Sequence, residues 1–236
     1  MGFEKIEAKS LTDLFVQKIE GMILSGELKV GDQLPSVREL CTLMGVSRPV
    51  VTAGLIELEK MGFVEVRSRQ GVYITDYRRK GTLETFNVLM RYNGGIMRDE
   101  EVRSVIEMRL ANEVLCVRLV IERATPEELD SLAPMIDAIR TAASNEAAAE
   151  ATYELLHEEC VLSGNVFLPL FLNSMRSHCL YFCTLYCKRY GIGSLYQNRL
   201  KLYQAMLNRD VKSAIEIARG VLDDAVSGEH QLYGKP

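Results

Sequence analysis

Residues 34–75 read LPSVRELCTLMGVSRPVVTAGLIELEKMGFVEVRSRQGVYIT. Ser36, with Glu39 three residues on, forms a capping box that opens a short helix ending near Met44. Gly45 supplies a tight turn. Ser47 caps the next helix, which runs to about residue 60 with Val51, Leu55 and Leu58 facing inward, and Gly62 ends it. Phe63-Val64-Glu65-Val66-Arg67 alternates like a strand, Val72-Tyr73-Ile74-Thr75 is its hairpin partner, and Ser68-Arg69-Gln70-Gly71 is the tip. Upstream, Ser10 caps a helix over 10–24 whose Leu11, Leu14, Phe15, Ile19 and Ile23 share one face. Ser25-Gly26 stops it, and Gly31-Asp32 marks a turn before residue 34. Helix, short helix, glycine turn, helix and hairpin make a winged helix-turn-helix, expected over 1–76.

Beyond it, Tyr77-Arg78-Arg79-Lys80-Gly81 is a basic, polar connector, and 77–84 reads as a linker. The remainder, 85–230, reads as an all-α antiparallel bundle, so the fold class is mainly α. Helices are predicted near 82–92, 99–122, 126–142, 145–164, 166–190, 194–208 and 211–227. Asp99, Thr125-Pro126 and Asp210 sit at helix starts. Asn93-Gly94-Gly95, Gly164-Asn165 and Gly191-Ile192-Gly193 fall at breaks.

The chain has 236 residues, 47% hydrophobic and 25% charged, as in a soluble globular protein of one or two domains. No apolar run approaches the ~18 residues that span a bilayer. The first residues lack the apolar core and cleavage site of a signal peptide, so a cytoplasmic protein with no membrane partner is expected. Six cysteines there are expected as reduced thiols. Net charge is −4, but residues 36–80 carry 8 Lys and Arg against 5 Asp and Glu, while 81–236 carry 16 against 21. That is a local basic surface on an acidic body. A Gly-rich phosphate loop, a G-x-S-x-G elbow and paired carboxylates are all missing, which argues against an enzyme.

Leu34-Pro35-Ser36, Arg38-Glu39-Leu40, Gly45-Val46-Ser47-Arg48, Leu55, Leu58, Gly62 and Gly71 together resemble the GntR family of winged-helix repressors. The rest resembles the all-helical ligand domain of its FadR branch (the FCD domain). Glu101-Val102-Arg103 and Glu107 match its start, Ser163-Gly164-Asn165 a helix break near its middle, and Asn208-Arg209-Asp210 the turn before its last helix. The resemblance implies a homodimeric repressor on a palindromic double-stranded DNA operator, with operator affinity modulated by a small acidic metabolite in the helical domain.

The third helix is then expected in the major groove, with Arg48 donating twice to a guanine. Ser47 and Arg38 would grip phosphate, and Pro49 and Thr52 lie on the same helix. Arg67, Arg69, Gln70 and Gly71 would place a wing tip near the minor groove. For Ser47 the other reading is helix capping alone; for Arg48 it is a solvated charge. The family usually shows Arg-Glu-Ala where Thr52-Ala53-Gly54 stands here, which removes a DNA contact and puts a glycine inside a helix.

For the effector, Arg103, His157, Asn173, Arg176 and Arg199 are candidate polar anchors. Arg103 and Arg199 suit a carboxylate best, since guanidinium offers a planar fork. Leu172-Asn173-Ser174-Met175-Arg176 is similar to the fatty-acid-responsive regulator of the branch, which would imply an acyl effector. For each Arg a surface ion pair is the alternative. Many members of the branch bind a divalent metal through an Asp four residues before a His and two later histidines. His157 stands at the first His position, but Tyr153, Arg199 and Val221 stand at or near the others, and His230 lies in the tail. No metal or other cofactor is therefore expected. Cys179, Cys183 and Cys187 form a helical stripe beside His178, read either as small buried hydrophobes or as a thiol or metal sensor. Cys41 and Cys116 are expected in cores. A thiol-responsive regulator and a ligand-independent DNA binder are the competing functions.

Overall fold

The computed structural model describes residues 10–92 and 99–227. The chain divides into two compact units, Met1–Ile96 and Met97–Pro236. The Asn93-Gly94-Gly95 break and His230 lie outside the described residues.

In the first unit, α1 (Leu11–Leu24), α2 (Val37–Met44) and α3 (Arg48–Lys60) precede a hairpin of β1 (Val64–Arg67) and β2 (Gly71–Ile74). Ser10 with Asp13, and Ser36 with Glu39, close reciprocal capping boxes on α1 and α2. Gly45 takes the left-handed conformation that lets the chain turn, φ 65°. The bend between α2 and α3 is 110°. The strands pair antiparallel, with Val64 opposite Ile74 and Arg67 opposite Gly71. The segment before α2 joins them. Leu34 N–H donates to Val72 O, Ile74 N–H to Asp32 O, and Gln33 bridges to Tyr73. Residues read as a plain turn thus cover one edge of the hairpin, as edge protection requires.

Phe15, Ile19, Leu40, Val51, Leu55, Leu58, Phe63 and Ile74 form the core. Residues 77–84, expected as a linker, fold onto this core instead. They form α4 (Tyr77–Lys80) and the start of α5 (Leu83–Arg91). Tyr77 packs on Phe63 with ring centroids 5.7 Å apart, Thr85 Oγ1 donates to Met61 O, and Val88 joins the core. Gly62 has φ +72°, and a Cβ there would lie 2.1 Å from Lys80 O, so this crossing admits only glycine.

The second unit is all helical, with α6 (Asp99–Arg123), α7 (Pro126–Asp130), α8 (Ala133–Arg140), α9 (Asn145–Leu162), α10 (Phe167–Ser174), α11 (Arg176–Tyr190), α12 (Ile192–Leu207) and α13 (Val211–Ser227). α6 packs on α13, α9 and α12, and α9 packs on α8, α10 and α11. Two expected helices are broken. The one over 126–142 stops at Asp130 because Pro134 opens α8 and has no N–H to continue the ladder. The one over 166–190 breaks at Met175, where the Ser174 hydroxyl donates to Phe171 O at 2.7 Å and competes with the helical pattern. Arginines close two helix ends. Arg209 donates to Ile121 O and Ala124 O at 2.6 and 2.7 Å beyond α6, and Arg123 donates to Ser163 O at 3.0 Å beyond α9.

Candidate nucleic-acid interface and effector cavity

The first unit presents the N-terminus of α3 to solvent. Val51, Gly54, Leu55 and Leu58 bury one face of α3 against α1, leaving Arg48, Pro49, Thr52 and Ala53 exposed. Ser47 stands at the N-cap, yet its hydroxyl makes no capping hydrogen bond. Pro49 occupies the second helical position, where an N–H would otherwise be offered. The Ser47 hydroxyl is thus exposed at the positive end of the helix dipole without a capping partner. Arg48, beside it, pairs with no acid among the described residues.

Neighbouring acids are committed elsewhere. Glu39 next to exposed Arg38 is held by Ser36, whose hydrogen bonds keep its carboxyl below the usual range. Glu65 binds Lys80 at 3.3 Å and Arg67 at 3.6 Å, and these contacts, Lys80 first, lower its pKa. Arg67 also lies over the Tyr73 ring, 4.5 Å from its centroid, so its charge is shared before any ligand arrives. At the wing tip Arg69 adopts φ 60°, uncommon for a side-chain-bearing residue, and Gly71 adopts φ 119°. Gln33 Nε2 donates to Gln70 O at 2.8 Å and would lie 2.5 Å from a Cβ on residue 71, so the tip is braced from below. Arg38, Arg48 and Arg69 remain exposed and without an ion-pair partner among the described residues.

Gly54, a departure from the family pattern, has a packing reason. A Cβ there would fall 2.3 Å from Phe15 Cδ1. α1 and α3 approach closely enough that the ring fills the place of a side chain.

In the second unit two small cavities adjoin. One, of ≈ 50 Å³, is lined by apolar Leu156, Leu168, Phe171, Leu172 and Met175 and by polar Arg109, Asn112, Glu113 and Glu159. The other, of ≈ 40 Å³, includes Arg199, Asn198, Tyr186 and Val221, and Arg109 again. Both are far below the roughly 300–1,000 Å³ of pockets for drug-sized ligands, which leaves no room for a long acyl chain. Arg199 donates to Glu113 at 2.7 Å, both side chains buried. Burial works against each charge. Even so, Arg199 and Arg109 hold the Glu113 carboxyl low, and Glu113 with Glu159 holds Arg199 protonated. Glu159 is the exception, since burial pushes it up to about 7 despite Arg199.

Of the sequence candidates, only Arg199 reaches this cluster. Arg103 is exposed on α6. Arg176 is exposed, pairs with Glu150 at 2.6 Å and sits 5.1 Å from the centroid of the Tyr153 ring, so its geometry is that of a surface ion pair. Asn173 accepts from Tyr153 Oη at 2.7 Å, and His157 packs on the same Tyr153 ring, 6.1 Å between centroids. These three surround Tyr153 rather than a cavity. Sequence reading missed Arg109, Glu113 and Glu159. The signal was present: Val102, Val105, Ile106, Arg109, Glu113, Cys116, Val117 and Val120 keep core spacing, so two charges stand in an apolar stripe.

A divalent metal does not fit the positions where the family resemblance puts one. Tyr153 is tied to Asn173, Arg199 is a fixed cation held by Glu113, and Val221 has no donor atom. Among the described residues no group of three or more His, Cys, Asp or Glu could hold a metal ion. Cys179, Cys183 and Cys187 are buried. Burial raises all three thiols, Cys183 to about 11, which is opposite to what a reactive thiolate needs. Cys116, expected in a core, is buried with its Sγ 3.9 Å from Cys160 Sγ.

Comparison with known proteins agrees with both units. Residues 12–74 match the model of bacterial regulatory proteins of the gntR family, and residues 104–224 match the FCD domain. The transcriptional regulator Mce2R of Mycobacterium tuberculosis is 33% identical over 141 residues, 60% of this chain and 58% of that protein. The chain thus matches little more than half the length of such relatives. LutR of Bacillus subtilis is 27% identical over 195 residues, 78% of this chain and 85% of its own. A solved structure described as Lar, which controls expression of the Listeria monocytogenes agr system, shares the fold with TM-score 0.58. It has 13% identity and covers 94% of this chain and 97% of that one. No single helix among the described residues is long and apolar enough to cross a membrane. The chain belongs to the gntR family of bacterial regulatory proteins, in the branch that carries an FCD domain.

Proposed function

We propose that this chain is a cytoplasmic, homodimeric transcriptional repressor that binds a palindromic DNA operator through its first unit and releases or tightens on it when a small acid occupies its second. The observation that carries the DNA reading is the N-terminus of α3. It projects an uncapped Ser47 hydroxyl and an unpaired, exposed Arg48 from a helix-turn-helix bent by 110°. Arg48 reads base edges, with Pro49 and Thr52 beside it. Ser47 and Arg38 hold phosphate and fix register, and Arg67, Arg69, Gln70 and Gly71 form the wing contact. Two protomers place two α3 helices about one DNA turn apart, roughly 34 Å, which makes the operator palindromic. Support for the effector reading comes from the buried Arg199, Glu113 and Glu159, with the partly exposed Arg109, around cavities that packing leaves unfilled.

Arg48→Ala tests the first half. In gel-shift competition it loses preference for the operator over random DNA by about 1–3 kcal/mol, the worth of one bidentate base contact, while the protein stays folded and dimeric. An unchanged preference refutes the reading. A rise in melting temperature with acid concentration tests the second half and separates it from a ligand-independent binder.

A further inference from the structure

Arg109 has donors to spare. Its side chain is 13% exposed, its nearest carboxylate oxygen is Glu113 Oε2 at 3.9 Å, and its guanidinium donates no hydrogen bond to another described residue. It forms part of the wall of both cavities. Arg199, by contrast, is already engaged by Glu113 at 2.7 Å, although its buried Nε has no partner. A guanidinium holds five N–H donors in a fixed fork, and leaving them unfilled in the interior is costly. The cluster also carries an uneven charge count. Glu113 stays ionised between the two arginines and neutralises one of them. Glu159, the other carboxyl of the cluster, lies against Arg199 rather than Arg109, and its burial opposes its charged form, so Arg109 has no carboxylate of its own among the described residues. The thiols of Cys179 from α11 and of Cys116 and Cys160 from α6 and α9 line the same cavity. Burial raises that of Cys179, and contact with Cys160, then burial, raises that of Cys116. α10 brings no ionisable group, and Asp137 and Arg140 of α8 are exposed and paired with each other.

Resting on the effector reading above, we propose that the cavity takes a short monocarboxylate, its carboxylate on the free fork of Arg109 and its tail against Leu156, Phe171, Leu172 and Met175. Asn112 stands beside the same fork, its amide donating to Met108 O at 2.9 Å and so held in place. A second carboxylate has no unclaimed cation, because Arg199 belongs to Glu113. Dicarboxylates are therefore rejected by desolvation without compensation. Small volume and apolar walls exclude sugar acids for the same reason. Arg199 positions Glu113 and does not itself receive the ligand. Glu159 lines the same cavity, so in its ionised form it repels an entering carboxylate and weakens binding.

The test uses the full chain, with acetate, butyrate and hexanoate against succinate, citrate and butyramide, read by thermal shift and calorimetry. At least one monocarboxylate raises the melting temperature and binds, while succinate, citrate and butyramide do not. Arg109→Lys weakens that binding about tenfold or more, since the fork is lost. Leu172→Phe, at a half-buried cavity wall, abolishes it with the unliganded melting temperature nearly unchanged. Glu159→Gln strengthens it by up to about tenfold at pH 8 and hardly at all at pH 6, as removal of a like charge that titrates near 7 does. Preference for succinate or citrate overturns the proposal and leaves the acid-effector reading standing, as does monocarboxylate binding that ignores Leu172→Phe and Glu159→Gln. If no acid of either kind binds, both fall together.

Discussion

Replacing Gly54 by Ala would ordinarily stabilise a helix by about 1 kcal/mol. Here the added Cβ sits 2.3 Å from Phe15 Cδ1, 2.8 Å from Cε1 and 3.3 Å from Val16 Cγ2. Ordinary contact begins near 3.4 Å, so the ring and the new methyl must part by about 1 Å. Phe15 is only 2% exposed and packs with Ile19, Val51, Leu55, Leu58 and Phe63, so it has nowhere to turn. Overpacking of this kind costs about 1–3 kcal/mol, and more where no rotamer relieves it. After crediting helix propensity, the net expectation is a loss of up to about 2 kcal/mol from the first unit, toward the upper end because Phe15 is hemmed in. Amide hydrogen exchange of α1 and α3 in the full chain reads that unit's own opening free energy. Exchange should speed up in both helices. In the double variant Phe15→Leu, Gly54→Ala the two changes should offset by about 1 kcal/mol, because they share one space. Exchange that is unchanged or slower in Gly54→Ala refutes the packing argument. The glycine would then be a mere loss of propensity.

Gly62→Ala should cost more than about 3 kcal/mol, through positive φ and collision with backbone at Lys80, and a melting temperature near wild type would contradict it. Arg69→Gly should leave stability equal or higher by about 1 kcal/mol, since φ 60° then carries no penalty, yet lower the slope of log K against log salt by about 1. An unchanged salt slope would remove the wing tip from the DNA interface. Arg209→Ala strips the carbonyls of Ile121 and Ala124 of a charged donor and should cost about 2–3 kcal/mol by urea melts, with Arg209→Lys recovering only part. Glu159 is protonated in the fold up to about 7 but ionises near its ordinary 4.5 when unfolded. Its contribution therefore makes stability fall as pH rises from about 4.5 to 7, with the deficit full above that range. Glu159→Gln should melt higher than wild type at pH 8 and lose that advantage below about pH 4.5; an equal difference at both pH values would contradict the burial argument.

The first unit was legible because its signals are local. Capping boxes at Ser10 and Ser36, the left-handed Gly45 and the alternation from residue 63 each act within a few residues. What escaped reading depends on contacts distant in sequence. Residues 31–34 become a hairpin edge only because Val72 and Ile74 are there to pair with them. Residues 77–84 look like a polar linker, but Tyr77 finds Phe63 and Thr85 finds Met61 O. The Pro134 break was legible in principle, since a proline eight residues into an expected helix ends it. The buried charge cluster of the second unit is legible by a different rule. Fit to a carboxylate singles out Arg103 and Arg199, whereas position on the helix stripe singles out Arg109. Arg103 and Arg176 lie outside the buried faces, and Arg109 lies within one. An ionisable group at core spacing must be paired or used, and that rule picks out Arg109, Glu113, Glu159 and Arg199 together.

The same bookkeeping of charge constrains how α3 reads DNA on the proposed reading. Its cations are Arg48 and Lys60, at opposite ends, and its acids are Glu57 and Glu59. Glu59 accepts from Val66 N–H at 2.8 Å and so serves the wing rather than the solvent face. Thr52 and Ala53 stand where the family resemblance implies Arg-Glu, so the middle of the helix offers a hydroxyl and methyl groups in place of a cation. Phosphate affinity must then come mainly from Arg38 on α2 and Arg69 on the wing, which no acid neutralises among the described residues. Base readout narrows to one guanidinium, matched to guanine, followed by apolar contacts of the kind that suit thymine methyl groups. Gly54 fits this arrangement. By letting Phe15 into the helix–helix contact, it seats α3 close against α1, so that the small residues on its outer face determine how near the backbone comes to the bases.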